Sequence, residues 1–143
     1  MRLRGSRLRM ALLALIAVII GVSVATASGG ARVVGNCTRS QVRPANIIIA
    51  CADGNIALTR LRWSTFGGTV ARASGQFSYN DCNPNCAAGH FHSVPATVVL
   101  SKPRRCPDGH RDYRLADTQF TSSRRPPSTL TAGTVTLSCP LKG

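Results

Sequence analysis

Residues 80 to 92 read NDCNPNCAAGHFH, with Cys82 and Cys86 four apart, His90 and His92 two apart, and Asp81 beside the first cysteine. As C-x3-C-x3-H-x-H the set offers two thiolates and two imidazoles, an acceptable tetrahedral donor set for zinc. Three features point instead to a disulfide-stapled loop. Familiar zinc pairs clasp the ion from two separate knuckles, whereas these four donors crowd into 11 residues. Asn83, Pro84 and Asn85 are turn-forming residues that let the chain double back and bring the cysteines together. In an oxidising compartment a neighbouring thiol pair oxidises rather than waiting for metal. Cys82, Cys86, His90 and His92 remain the weaker, metal-binding alternative, and no other cofactor is implied. If His90, Phe91 and His92 are extended, the two imidazoles share one side and Phe91 takes the other. The expectation is a buried Phe91 flanked by ordinary surface histidines.

Other catalytic chemistry finds few residues to use. A two-carboxylate hydrolase needs a pair of acids with one kept protonated, and the chain has five acids, all aspartate: Asp53, Asp81, Asp108, Asp112 and Asp117. Asp53 and Asp108 precede glycine in tight turns, and Asp81 is placed to cap local backbone amides. Asp112 and Asp117 are expected to answer nearby arginines. No G-x-S-x-G is present, and all six cysteines are expected in bridges. No catalytic residue is assigned. Since triads are recognised by geometry and not by order, a small secreted enzyme or metal binder using His90, His92 and Asp81 is kept as the alternative function.

These residues must be positioned by an exported domain. Four arginines precede an apolar run from Met10 to Val24, which ends in Ala25, Thr26 and Ala27. That order of charge, apolar core and small-residue cut site is a secretory signal. Residues 1–27 are therefore read as a signal peptide and 28–143 as a single secreted β-domain. The alternative is a membrane anchor formed by an uncleaved N-terminal helix. Export places Cys37, Cys51, Cys82, Cys86, Cys106 and Cys139 where disulfides persist. Six cysteines allow about 15 pairings; closeness in sequence favours 37 with 51, 82 with 86, and 106 with 139.

Short apolar runs recur between turn signals. Residues 46–51 (NIIIAC) read as a strand buried on both faces, followed by an Asp-Gly hairpin turn and a partner over 56–63. On that partner the two-residue period puts Leu61 and Trp63 on one face and Leu58, Arg60 and Arg62 on the other. Residues 68–79 place Ala71, Ala73, Gly75, Phe77 and Tyr79 together, with Gly75 marking a bulge or a close backbone approach. Three further strands follow over 95–101, 112–122 and 133–139. Six strands and no helical period predict an all-β fold, a small disulfide-stapled sandwich or barrel preceded by an N-terminal signal helix.

The strings RPANIIIACADGNIALTRLRW, NDCNPNCAAGHF and VPATVVLS together resemble a family of small secreted actinobacterial proteins with an ACADGN turn and a CxPNCAxGxF loop, over most of residues 37–121. No activity is assigned to that family, so the resemblance implies export and a single domain and carries over no functional residue.

Charge gives the remaining functional signal. The four leader arginines leave 14 basic residues against five aspartates, a net charge of +9 beyond the leader. The candidate binding residues are Arg60 and Arg62, then Lys102, Arg104 and Arg105; further pairs fall at Arg111/Arg114 and Arg124/Arg125. An exported protein this positive collects at anionic polymers. Scarce aromatics and export both argue against sequence-specific nucleic-acid binding. The expectation is a secreted, non-catalytic basic domain of the cell envelope or extracellular space, binding an anionic wall polymer or a protein partner, with simple solubility as the plain alternative.

Overall fold

The computed structural model describes residues 30–127 and 133–141. The expected leader, and with it the choice between cleavage and anchoring, lies outside the described residues. Among the described residues no helix is long and apolar enough to cross a membrane. The elements are β1 (Val33–Val34), β2 (Ser40–Gln41), β3 (Ile47–Ile48), β4 (Ile56–Thr65), β5 (Ala71–Asn80), β6 (Phe91–Arg105), β7 (Arg111–Phe120) and β8 (Gly133–Thr136). Strands β3 to β8 form one antiparallel sheet in chain order, and β1 pairs with β2. The class is all-β, a curled half-barrel.

The segment before β2 covers the open side. Arg32 N donates to Arg111 O and Tyr113 N donates to Arg32 O, while Ala31 N donates to Gly67 O after β4. On the opposite border Ile48 N donates to Gly35 O. Residues 31–35 thus join β7 to β3 and give backbone groups at both borders the partners they would otherwise lack.

Two-residue alternation builds the core. Ala71, Ala73, Phe77 and Tyr79 of β5 and Val94, Ala96, Val98 and Leu100 of β6 all point inward. Tyr113 of β7 is fully buried, and its hydroxyl accepts from Gly67 N and donates to Gly68 O, which fastens the β4–β5 turn. Trp63 packs against this core as expected, edge-on to Phe66, with its indole N–H on Pro44 O.

Strand β4 departs from the alternation read in the sequence. Leu58 and Leu61 fall on opposite faces by period two, yet both are buried. The register jumps from Thr59↔Gln76 to Arg62↔Ser74, so Arg60 and Leu61 together oppose Gly75. Arg60 takes a φ of 53°, and this bulge turns Leu61 back into the core. Gly75 permits it: a Cβ there would lie 2.7 Å from Thr59 O and 2.9 Å from a Leu61 methyl. The isoleucine run is also corrected. Only Ile47–Ile48 pairs with β4, and Ile47 alone is fully buried, because β3 borders the sheet instead of crossing its centre. Strand β6 begins at Phe91, four residues before the expected start, since Phe91 and His92 pair with Asn80 and Tyr79.

The six cysteines form Cys37–Cys51, Cys82–Cys86 and Cys106–Cys139. The first ties the β1–β2 hairpin to the β3–β4 loop, the second closes a ring between β5 and β6, and the third holds the chain after β8 to the β6–β7 turn. Three disulfides suggest an oxidising, extracellular environment.

Candidate functional site

The 80–92 loop is organised by two side chains. Asn80 accepts from Cys82 N and donates to Asn55 Oδ1 and Cys86 O. Asp81 Oδ1 accepts from Asn83 N at 3.1 Å and His90 N at 2.9 Å, and its Oδ2 meets His92 Nε2 at 2.8 Å. The His92 bond and then those two amides hold the Asp81 carboxyl well below the usual carboxylate range. His92 stacks on Tyr79, and His90 joins Asp81 through its backbone. Cys82 and Cys86 are bonded to each other, so they offer no thiolates to a metal, and among the described residues no cluster of three or more His, Cys, Asp or Glu could hold one. Phe91 is 62% exposed, against the expectation of burial. Val94, Ala96, Val98 and Leu100 of β6 face the core, so by the same parity His92 continues the inner row and Phe91 the outer.

A second constellation was not legible in the sequence. Ser40 Oγ lies 2.6 Å from Asp112 Oδ2 and 3.0 Å from Asp108 Oδ2, at the edge of a depression of about 390 Å³ that His110 also lines. Asp112 is fully buried, and among the described residues its Oδ1 has no partner and it pairs with no arginine, contrary to the reading that Asp112 answers one. Burial pushes its carboxyl up; the Ser40 hydrogen bond and the nearby Arg32 and His110 oppose that, and the Asp108 charge adds to it. One hydroxyl hydrogen cannot serve two carboxylates. A proton on Asp112 Oδ2 would let that oxygen donate to Ser40 while Ser40 donates to Asp108, leaving only Asp112 Oδ1 without a partner among the described residues. Ser40 enters from 72 positions away in sequence, and no local pattern marks it.

Apart from the half-buried Arg32 and Arg114, the described basic residues are exposed. Among the described residues the one ion pair is Asp81 with His92, so no arginine or lysine is neutralised by a carboxylate. Asp117, like Asp112, pairs with no arginine. Arg114 is occupied by Leu137 O and the Cys139 sulfur, and Arg105 by Gly109 O at 3.3 Å. Arg60 and Arg62 are exposed on β4, while Lys102, Arg104 and Arg105 are exposed on the end of β6, past Ala71↔Leu100, the last β5–β6 pair. The candidate cations therefore divide between two places. Arg72, absent from the sequence candidates, joins Arg62 instead, around a shallow depression of about 400 Å³ with Ser74, Thr97 and Gln119. Alternation alone puts Arg72 and Ser74 outward, but their alignment with Arg62 depends on the bulge. No family model, curated protein or solved structure matches the chain.

Proposed function

We propose that this is a secreted, non-catalytic basic domain retained at the cell envelope by an anionic polymer. One observation carries the reading: 12 arginines and one lysine lie among the described residues, and none has a carboxylate partner. Four of the five aspartates are committed elsewhere. Asp53 and Asp108 cap the turns they occupy, Asp81 holds its loop, and Asp112 is buried on Ser40. The positive field is thus left facing outward, where it attracts polyanions over a range set by salt. The three disulfides, the secretory-type leader and the resemblance to exported actinobacterial proteins support the location.

The test is retention of the purified secreted chain on isolated cell-wall material across a salt series. Retention should fall steeply between about 50 and about 500 mM sodium chloride as the Debye length contracts. Retention indifferent to salt would overturn the reading. A protein partner is favoured by a separate observation, the exposed Phe91 on a loop held rigid by Asp81 and the Cys82–Cys86 bond. Salt-insensitive retention that Phe91→Ala abolishes would support that partner in place of the polymer.

A further inference from the structure

The outer face of the sheet carries an ordered row of donors. Because Ala73, Val98 and Thr118 point inward, Ser74, Thr97 and Gln119 point outward on β5, β6 and β7. The register then aligns Arg62↔Ser74, Ser74↔Thr97 and Thr97↔Gln119 in a single line across four strands. At about 4.8 Å between neighbouring strands this line is about 14 Å long. The adjacent line runs Thr65↔Arg72, Arg72↔Val99 and Val99↔Asp117. Ser64 already donates to Arg72 O, but the side-chain ends of Arg62, Arg72, Ser74, Thr97 and Gln119 make no hydrogen bond or ion pair with another described residue.

The order of groups along the rows selects a ligand. Two guanidinium groups stand at the β4–β5 end, uncharged hydroxyl and amide groups follow, and the Asp117 carboxylate stands at the β7 end. A chain with a phosphate at every unit would bring negative charge against Asp117. A chain with spaced acid groups and hydroxyls between them fits: guanidinium forks match a carboxylate or sulfate, Ser, Thr and Gln exchange hydrogen bonds with sugar hydroxyls, and Val99 offers an apolar contact to the C–H face of a ring. The geometry points to an acidic-polysaccharide subsite on this face, in which Arg62 and Arg72 hold one carboxylate or sulfate while Ser74, Thr97 and Gln119 bind the hydroxyls beside it. The assignment rests on the proposed retention by an anionic polymer and gives it a place.

The experiment measures affinity of the full secreted chain for hyaluronate, kappa-carrageenan and polyphosphate at fixed salt, with thermal midpoints as a check on folding. Hyaluronate, with a carboxylate on every second sugar, and kappa-carrageenan, with a sulfate on every second sugar, separate the carboxylate from the sulfate source. Arg62→Gln with Arg72→Gln should weaken binding to the preferred glycan by about tenfold or more. Arg39→Gln with Arg43→Gln removes the same charge elsewhere and should cost less than about threefold. Ser74→Ala with Thr97→Ala and Gln119→Ala leaves charge unchanged and should still weaken glycan binding by about threefold. Equal losses in the two arginine pairs would overturn the subsite and leave general polyanion retention standing. Tighter binding of polyphosphate than of either glycan would overturn the choice of ligand. Failure of the unaltered chain to bind any of the three would remove both proposals.

Discussion

Asp112 and Asp81 show how two carboxylates of one small protein respond oppositely to pH. Burial raises the folded-state pKa of Asp112, so between its unfolded and folded values the folded chain holds more protons than the unfolded one. Its contribution to stability is therefore greatest below that window and falls as pH rises through it. Asp112→Asn removes the buried charge and lets an amide donate to Ser40; at pH 7 it should match the parent or exceed it by up to about 1 kcal/mol in urea unfolding. It should also lose the Asp112 contribution to the acid side of the profile. A loss of more than about 2 kcal/mol at pH 7 would show that the ionised form is the one the fold uses. Asp81 has the other sign. Its pKa is depressed, so its contribution is present above the unfolded value and is lost as pH falls through the folded one. Asp81→Asn should speed hydrogen exchange at the amides of Asn83 and His90 at neutral pH, and unchanged exchange would mean the disulfide alone holds the loop. The capping role of Asp81 could be read in the sequence because its partners lie within 11 positions. The Ser40 contact of Asp112 could not, because Ser40 reaches it only through the path of the N-terminal segment.

At the scale of strands, local alternation is reliable until the register shifts. Strand β5 presents the face its sequence predicts, and Gly75 stands where a close approach was expected. What Gly75 approaches is set by its partner strand, where two residues oppose it. Gly75→Ala should therefore cost about 1 to 3 kcal/mol in urea unfolding, through a Cβ pressed against Thr59 O and Leu61. A neutral substitution would mean that the β4 bulge can relax. The isoleucine run misled because apolar content reports that a strand meets the core, whereas position within the sheet decides how many faces do. Phe91 was misplaced for a related reason: the parity of β6 is fixed by Val94, Val98 and Leu100 further along the same strand.

For the molecule as a whole, covalent closure supplements a modest core. On the chain-entropy model the separations of 33, 14 and 4 residues imply that Cys106–Cys139 contributes roughly 3.5 kcal/mol, Cys37–Cys51 roughly 3 and Cys82–Cys86 roughly 2. Cys106→Ala with Cys139→Ala should accordingly lower the urea midpoint more than Cys82→Ala with Cys86→Ala. The reverse order would place the dominant constraint in the 80–92 loop. The all-β class, the crosslinking and the excess of positive charge follow from the sequence by itself, since they depend on period-two patterning, turn residues and composition, which act over a few neighbours or over none. Only the tertiary structure decided that residues 31–35 bridge β7 and β3, that Ser40 lies between Asp108 and Asp112, and that Arg62 aligns with Ser74, Thr97 and Gln119. Those meetings join residues distant in the chain, and their register is fixed by a bulge and by closure of the sheet, neither of which any single segment contains.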